Sequence, residues 1–198
     1  MNENNTIAVS ERLMSRGGWE FLEENLRFCP DINSRNEVPD CRGYGFALLK
    51  SFQVPAYLEY CLCGITGYDA YMDYIFSGNS NSIERVEFLP FGYSKVVMYA
   101  KDASYNRPAT VVAYYPSVAR NFLEESNIPY AGISWEPGKT EALVKIGAAD
   151  LGVDVMENGN TLRETGLTII DTIMESQAVL ISTKPNIKKV RKVFNTVR

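Results

Sequence analysis

Residues 150–167 read D-L-G-V-D-V-M-E-N-G-N-T-L-R-E-T-G-L, a stretch that joins a buried strand to a polar turn. Its first seven residues are apolar around two acids, which predicts a short strand with Asp154 and Glu157 at its carboxyl end. The Asn-Gly pair at 158–159 favours a turn because both residues tolerate positive φ. Thr161 then starts a T-x-x-E capping box, which predicts the first turn of a helix.

The same stretch has the parts of a site for a phosphorylated sugar. Backbone N–H groups at the start of a helix are unpaired, and the helix dipole adds positive potential, so they attract a phosphate. Carboxylates on the adjoining strand end can accept hydrogen bonds from sugar hydroxyls, which suits a ribose 5-phosphate. The predicted substrate-binding residues of this loop are Asn158, Gly159, Asn160, Thr161 and Leu162. The alternative is a strand that ends in an ordinary capped helix, because short motifs often occur without function.

The composition is that of an ordinary globular protein. The chain has 198 residues, is 45% hydrophobic and 22% charged, and is long enough for one large domain or two small ones. Its net charge of −4 argues against a general nucleic-acid surface, which is basic. No apolar run approaches the roughly 20 residues of a membrane span, and the first residues lack the features of a signal peptide. We therefore expect a cytoplasmic protein without a membrane or nucleic-acid partner.

Histidine is absent, and this excludes several classes of mechanism. Catalysis by Ser-His-Asp or Cys-His groups needs an imidazole base. The cysteines are Cys29, Cys41, Cys61 and Cys63. Cys61 and Cys63 are two residues apart in an apolar strand, so they share a face and do not suit a zinc knuckle. We predict free thiols, no disulfide and no protein-bound metal, in keeping with a reducing compartment.

Strands and helices alternate in two series, which predicts an α/β protein with two lobes and mostly parallel sheets. Residues 102–108 have the composition of a linker, so lobe II is predicted to span 105–176. Lobe I then consists of 1–104 together with 177–198 and is discontinuous. In such a fold the ligand lies in the cleft at the carboxyl ends of the strands.

Most of the strands and helices follow from apolar periodicity and turn residues. The predicted strands are 6–9, 45–49, 62–65, 84–89, 94–99, 110–113, 130–134, 150–156, 168–174 and 177–181. The predicted helices are 18–28, 55–60, 68–76, 117–125, 140–147 and 186–197. Strands 84–89 and 94–99 are predicted to pair with each other as antiparallel neighbours around Pro90-Phe91-Gly92.

Segments along most of the chain resemble, in the same order, ATP phosphoribosyltransferase, the first enzyme of histidine biosynthesis. Residues 148–167 resemble the family's phosphoribosyl pyrophosphate loop, A-D-A-I-V-D-x-V-x-T-G-x-T-L-x-x-N-G-L. The family patterns I-P-x-Y-V, G-I-T-G-x-D, L-x-F-G, A-T-x-Y-P and G-S-V-E resemble residues 54–58, 64–69, 89–92, 113–116 and 138–141.

The resemblance implies both a fold and a reaction. The family has two α/β lobes hinged like a periplasmic binding protein of type II, with the ligand cleft between the lobes. Its short form lacks a C-terminal regulatory domain and works with a histidyl-tRNA-synthetase-like subunit, and a chain that ends near Arg198 is expected to be of this form. We also expect a homo-oligomer. In the family's reaction, N1 of ATP displaces pyrophosphate from phosphoribosyl pyrophosphate, and no protein nucleophile or histidine is needed.

The resemblance also assigns roles to individual residues. Asp154 and Glu157 lie near the ribose, where their negative charge favours the cation-like transition state. Mg²⁺ bound to the substrate's pyrophosphate improves the leaving group. The candidate substrate-binding residues outside the loop are Arg12, Asp69, Lys139 and Glu141. The two cations are candidates for the pyrophosphate or the triphosphate, with solvent exposure as the alternative. For the two acids, the alternative is a role at the start of a helix.

The first lobe departs from the family pattern at several positions. Where the family has P-K-G-R-L after its first strand, this chain has Ser10-Glu11-Arg12-Leu13, and an acid replaces the Lys-Gly region. Lys50 and Gln53 stand nearest to the family's Arg and Asp. Leu62 replaces an Asp, and Asn158 replaces the first Thr of the loop. Changes in the lobe that binds part of the nucleotide indicate an altered acceptor or reduced activity.

Three other functions therefore stay open from the sequence. The first is a non-catalytic binding or regulatory protein with the same two-lobed fold, because fold does not determine function. The second is a phosphoribosyltransferase for a different acceptor. The third is a purely structural or regulatory subunit. Release of pyrophosphate, a panel of acceptors and a ligand-induced thermal shift distinguish these functions from one another.

Overall fold

The computed structural model describes residues 5–26, 44–79, 82–102, 104, 108–157 and 166–194. The chain forms two compact units. Unit 1 consists of Met1–Gly92 together with Gln177–Arg198, and unit 2 consists of Tyr93–Ser176. No helix within the described ranges is long and apolar enough to cross a membrane.

The strands and helices follow the apolar segments of the sequence. The strands are β1 Thr6–Ser10, β2 Gly45–Leu49, β3 Cys63–Gly67, β4 Ile83–Phe88, β5 Ser94–Ala100, β6 Ala109–Ala113, β7 Tyr130–Trp135, β8 Leu151–Met156, β9 Thr168–Ser176 and β10 Ala178–Thr183. The helices are α1 Glu11–Leu13, α2 Trp19–Leu26, α3 Gln53–Ala56, α4 Tyr68–Tyr74, α5 Pro116–Glu125, α6 Thr140–Ile146 and α7 Ile187–Val193.

Unit 1 is built on a five-stranded sheet with the order β2-β1-β3-β10-β4. β1 runs parallel to β2 and to β3, whereas β10 runs antiparallel to β3 and to β4. The central strands are apolar on both faces, as strands covered on both sides must be. Ile7 and Val9 contribute to the core on one face, and Ala8 contributes to the core on the other.

Unit 2 is built on a second five-stranded sheet with the order β7-β6-β8-β5-β9. β6 runs parallel to β7 and to β8, whereas β5 runs antiparallel to β8 and to β9. Helix α6 covers one face, where Val144 packs with Val97, Tyr99 and Val112. All four of these side chains are buried.

The two sheets share one strand order. In each, a parallel trio is followed by an antiparallel strand and then by an edge strand. The antiparallel strand adjoins the point where the chain passes between the units, because β5 begins at Ser94 and β10 begins at Ala178. This topology is that of the type II periplasmic-binding-protein fold, so the predicted α/β class with two lobes is confirmed. The predicted ligand cleft between the lobes stays a prediction.

The partners of β4 and β5 differ from the prediction. β4 and β5 were expected to pair with each other, but β4 pairs with β10 in unit 1 and β5 pairs with β8 and β9 in unit 2. The predicted predominance of parallel pairing is wrong for the same reason, because the inserted strands β5 and β10 make every one of their pairs antiparallel.

The boundary between the units also lies earlier than the predicted one. Unit 2 begins at Tyr93, whereas the linker composition of residues 102–108 predicted a start at 105. The physical reason is that β5 adds its hydrogen bonds to the sheet of unit 2 rather than to that of unit 1. The return to unit 1 at Gln177 coincides with the start of the predicted C-terminal segment of lobe I.

The first helical region starts earlier than predicted. Helical turns begin at Glu11, directly after β1, and a π-helical segment Met14–Gly18 leads into α2. Arg16 and Gly17 have non-helical backbone angles inside that segment, so the region is kinked. The sequence predicted a helix that starts at Gly18, whereas the structure has Gly17, with φ of 102°, at a bend between two helical segments.

Candidate functional site

The carboxyl edge of the unit 2 sheet is formed where β6 and β8 end. Ala113, the last residue of β6, pairs with Val153 of β8, and the N–H of Tyr114 donates to the Val153 carbonyl at 3.0 Å. Asp154 follows on β8, one residue beyond the last β6 partner. On its other side β8 is still paired, because Asp154 lies opposite Val97 of β5. The strand end is therefore rigid at the position of the predicted ribose carboxylate.

The Asp154 carboxylate is held by neighbours on two elements. Its Oδ1 accepts the N–H of Val155 at 2.6 Å, and its Oδ2 accepts the hydroxyl of Thr140. Thr140 is the first residue of α6 and is fully buried. The Thr140 hydroxyl in turn accepts the hydroxyl of Tyr99 at 2.8 Å. Helix α6 thus contacts this carboxylate directly, and strand β5 is connected to it through the Thr140 hydroxyl.

Lys139 and Glu141 flank the threonine that contacts Asp154. Lys139 is the N-cap of α6 and has a left-handed backbone with φ of 62°, while Glu141 stands in the first turn of the helix. The structure therefore brings the predicted residues Lys139, Glu141 and Asp154 to the same edge of unit 2. Glu157 lies just after β8 and is exposed.

The predicted phosphate-binding residues lie outside the described part of the chain. These residues are Asn158, Gly159, Asn160, Thr161 and Leu162. Their role therefore stays a prediction.

Two predicted site residues belong to unit 1. Arg12 is in α1, directly after β1, and is exposed. Asp69 is in the first turn of α4, directly after β3, and its Oδ1 accepts the N–H of Ala70 at 2.7 Å. With 4% of its surface exposed, Asp69 is buried at the start of its helix, which favours the structural alternative for this acid. A substrate contact for either residue stays a prediction.

Sequence reasoning missed a polar cluster at the carboxyl edge of the unit 1 sheet. The hydroxyls of Ser10 and Ser51 are 2.7 Å apart, and the Thr66 hydroxyl donates to the Ser51 carbonyl at 2.9 Å. Ser10 ends β1, Ser51 follows β2, and Thr66 is in β3. The available signal was a hydroxyl residue at or just after the end of each neighbouring strand, because the carboxyl ends of parallel strands meet at one edge.

Glu11 and Lys50, two residues at which the first lobe departs from the family pattern, contact each other. Lys50 Nζ lies 3.0 Å from the Glu11 carboxylate, and both side chains are at least half exposed, at 64% and 50%. Lys50 follows β2 and Glu11 follows β1, and both strands belong to the parallel trio. An exposed pair of this kind contributes little to stability. It does, however, change the charge at the carboxyl edge of this sheet, where each group partly neutralises the other.

Burial controls the protonation of several groups. Burial raises the pKa of the Tyr99 hydroxyl, and the negative charges of Asp154 and Glu141 add to the rise, against a lowering by its hydrogen bond with Thr140. Burial also raises the pKa of the Cys61 and Cys63 thiols. Cys61 and Cys63 are buried free cysteines, which confirms the prediction for these two, while Cys29 and Cys41 lie outside the described residues. Among the described residues no cluster of three or more acids or cysteines could hold a metal ion.

The fold and the site together define a two-lobed α/β protein with a held carboxylate at the carboxyl edge of its second sheet. Residues 50–198 match the family model of ATP phosphoribosyltransferase. An ATP phosphoribosyltransferase from a Thermoanaerobacter species is 32% identical over 200 residues, which cover 94% of this chain and 89% of the relative. The chain belongs to the ATP phosphoribosyltransferase family.

Other relatives are longer than this chain. The ATP phosphoribosyltransferase of Sulfolobus acidocaldarius is 32% identical over 151 residues, which cover 72% of this chain and 51% of the relative. The chain thus spans about half the length of that relative.

A solved structure shares the fold. The ATP phosphoribosyl transferase (HisG:HisZ) complex from Thermotoga maritima contains a chain that superposes with a TM-score of 0.78 at 20% identity. The match covers 96% of this chain and 93% of that one. At this identity the likeness is one of fold.

Proposed function

We propose that this protein transfers a phosphoribosyl group from phosphoribosyl pyrophosphate to N1 of ATP and releases pyrophosphate, the first step of histidine biosynthesis. N1 of the adenine attacks C1 of the ribose, the bond from C1 to the pyrophosphate oxygen breaks, and the pyrophosphate leaves with the electron pair. Membership of the ATP phosphoribosyltransferase family supports this reaction.

The observation that carries the proposal is the placement of Asp154. The Asp154 carboxylate accepts hydrogen bonds from Val155 and Thr140 near the end of β8, four positions before Asn158, the first residue of the loop whose residues suit a phosphate. A fixed negative charge costs no reorganisation when positive charge develops on the ribose, and this preorganisation lowers the barrier. A carboxylate also accepts hydrogen bonds from the ribose hydroxyls, which positions C1 for in-line attack.

The remaining residues receive roles that fit their chemistry. Glu157 adds a second carboxylate beside the ribose, and residues 158–162 hold the 5-phosphate through backbone N–H groups and the Thr161 hydroxyl. Lys139 and Arg12 supply positive charge for the pyrophosphate or triphosphate. Mg²⁺ enters bound to the pyrophosphate and improves the leaving group. Free thiols such as Cys61 fit the reducing conditions of the cytoplasm, where we place the reaction.

The acceptor is the part of the reaction that the first lobe influences most. The Lys50–Glu11 pair occupies positions at which the family pattern differs, and it lies at the carboxyl edge of the unit 1 sheet. This pair favours, as a second function, a phosphoribosyltransferase with a different acceptor or a ligand-binding protein without turnover. Both of these functions would use the site at Asp154. They differ from the first proposal in the acceptor that reacts there, or in the absence of a reaction.

We further propose that the active form is an oligomer with a histidyl-tRNA-synthetase-like partner. The Thermotoga maritima protein of the same fold is described as a HisG:HisZ complex.

The test is product formation from phosphoribosyl pyrophosphate and a panel of acceptors. The acceptors are ATP, ADP, AMP and the free bases, with Mg²⁺ present, with and without a synthetase-like partner subunit, and the products are identified by mass. We expect phosphoribosyl-ATP and stoichiometric pyrophosphate with ATP alone among the acceptors. Product with another acceptor in place of ATP supports the second function. Binding of phosphoribosyl pyrophosphate without any product under either condition contradicts an enzymatic role.

A further inference from the structure

We propose that Thr140 and Tyr99 are positioning residues that hold the Asp154 carboxylate in the orientation that recognises the ribose hydroxyls. The inference rests on the proposed function, because it assigns to Asp154 a substrate that contains a ribose. It adds residues outside the loop motif to the site. Neither residue touches the reacting atoms, and both act through Asp154.

The hydrogen bonds of this group have only one possible direction. An ionised carboxylate only accepts hydrogen bonds, and a threonine hydroxyl has a single proton. The Thr140 proton is therefore donated to Asp154, and the Thr140 oxygen must accept from Tyr99, whose hydroxyl is 2.8 Å away. The result is an ordered chain from Tyr99 through Thr140 to Asp154, in which no member can reverse its role while the carboxylate is ionised.

The donor at the start of the chain stays protonated. Tyr99 has 0% of its surface exposed, and burial raises the pKa of its hydroxyl above the ordinary range. The negative charges of Asp154 and Glu141 act in the same direction. Tyr99 therefore remains a hydrogen-bond donor up to a higher pH than an exposed tyrosine does.

The position of Tyr99 is also fixed sterically. Its ring lies against the backbone of Gly152, where an added Cβ would come within 2.3 Å of the ring. Gly152 stands two residues before Asp154 on the same strand, so the ring packs where β8 offers no side chain. Thr140 is equally constrained, because it begins α6 and is fully buried. Both donors thus come from rigid elements, which orients a carboxylate better than mobile loops do.

A purely structural function would account for part of this arrangement. A buried phenol needs a hydrogen-bond partner, and a buried threonine supplies one. A structural function predicts that losing either hydroxyl weakens every ligand to the same extent, through lower stability. A positioning function predicts a selective loss for ligands that present ribose hydroxyls.

The experiment compares ligands that differ in one hydroxyl. We would measure by calorimetry the affinities of ribose 5-phosphate, its 2-deoxy and 3-deoxy analogues and inorganic phosphate for the wild type, Thr140→Val, Thr140→Ser and Tyr99→Phe. The wild type is expected to prefer ribose 5-phosphate to at least one deoxy analogue by about tenfold, since the hydrogen bond is charge-assisted. Thr140→Val removes this preference and leaves the phosphate affinity unchanged. Thr140→Ser restores it, and Tyr99→Phe reduces it by about threefold.

The outcomes separate this inference from the proposed function. A wild type that binds ribose 5-phosphate and both deoxy analogues equally overturns the ribose role of Asp154 and the present inference with it. A wild type that discriminates, beside a folded Thr140→Val that discriminates equally well, overturns the positioning role alone. Equal weakening of all four ligands, together with a lower melting temperature, shows a structural role and also overturns it. Tyr99→Phe keeps the inference testable if Thr140→Val does not fold.

Discussion

At the residue scale, the contact between Tyr99 and Gly152 controls how the site is built. A Cβ at position 152 would lie 2.3 Å from one ring carbon and 2.7 Å from the Tyr99 oxygen. The ring is fully buried and cannot move away without disturbing its neighbours. We therefore predict that Gly152→Ala lowers the free energy of unfolding by about 1–3 kcal/mol, the usual cost of overpacking.

Gly132→Ala is the matched control for this prediction. Gly132 also lies in a strand of unit 2, but an added Cβ there would meet no atom within 4 Å. Urea unfolding of both variants measures the difference. If Gly152→Ala proves as stable as Gly132→Ala, Tyr99 is not held against β8 and its proposed positioning role loses its steric basis.

The buried thiols predict a loss of stability at alkaline pH. Burial raises the pKa of Cys63, and the neighbouring Cys61 adds to the rise. Above the ordinary thiol pKa of about 8.5, the unfolded chain releases a proton that the folded chain keeps. The unfolded state then binds fewer protons, so the free energy of unfolding falls as pH rises, by at most about 1.4 kcal/mol per pH unit for one thiol. Below this pH the contribution of Cys63 is complete.

Urea unfolding between about pH 8 and about pH 10 tests this dependence. Cys63→Ala should show a shallower fall than the wild type over the same range, whatever its stability at neutral pH. Tyr99→Phe should change the slope only above about pH 10, where a free tyrosine titrates. Parallel curves for the wild type and Cys63→Ala would show that the Cys63 thiol titrates normally in the folded protein.

The sequence predicted some residues of the candidate site but not Thr140 and Tyr99, the hydrogen-bonded residues next to Asp154, and the reason is physical. Asp154 was found because it stands near the end of a predicted strand, and Lys139 because it lies in residues 138–141, which resemble the family pattern G-S-V-E. Thr140 and Tyr99 were missed because a first-turn threonine and a core tyrosine are each typical of ordinary structure. Their role depends on a contact between residues 41 positions apart, which no local pattern records.

At the element scale, α6 ends on a glycine that its backbone requires. Gly147 is the C-cap with φ of 82°, and an added Cβ would meet no atom within 4 Å. A side chain there would therefore destabilise the protein only because a residue other than glycine disfavours this left-handed backbone conformation. We predict that Gly147→Ala lowers the free energy of unfolding by about 1–2 kcal/mol.

Gly138→Ala provides the comparison for this effect. Gly138 precedes the same helix, has similar open space and is not among the residues with positive φ. Chemical denaturation should place this variant within about 0.5 kcal/mol of the wild type. A Gly147→Ala protein as stable as Gly138→Ala would contradict the left-handed termination of α6. Because Thr140 begins this helix, the pair also tests whether α6 is stable enough to hold Asp154.

Most strands were predictable as elements, but not their partners. Apolar runs such as those of β1, β3, β6 and β8 are visible in the sequence because a buried strand needs them. The pairing of β5 with β8 and β9 is not visible, because residues 84–99 read as two strands with a turn between them. Strands that are close in sequence usually pair with each other, and β4 and β5 are an exception because they join different sheets.

At the scale of the whole molecule, the chain leaves unit 1 after Gly92 and returns to it at Gln177. The folding of unit 1 therefore depends on both the N-terminal and the C-terminal part of the chain. β10 lies between β3 and β4 in the sheet of unit 1, whereas all strands of the second sheet lie within 93–176. We predict that a chain truncated after Ser176 loses the folded structure of unit 1 while a fragment of residues 93–176 keeps its own. Amide hydrogen exchange of the full chain and of each fragment provides the measurement. Protected amides in β1 and β3 of the truncated chain would contradict the central position of β10.

We propose that Asp154, held by Thr140 and Tyr99, serves phosphoribosyl transfer to ATP. The most direct measurement is the rate of pyrophosphate release from ATP and phosphoribosyl pyrophosphate for the wild type, Asp154→Asn and Asp171→Asn. Asp171 is the matched control, since it also accepts the N–H of its following residue, at 2.7 Å, but lies exposed on β9. We predict ATP-dependent release by the wild type and by Asp171→Asn, and a decrease of about a hundredfold for Asp154→Asn. A wild type that releases no pyrophosphate even with a synthetase-like partner subunit present, or an Asp154→Asn protein as active as the wild type, would contradict this proposal.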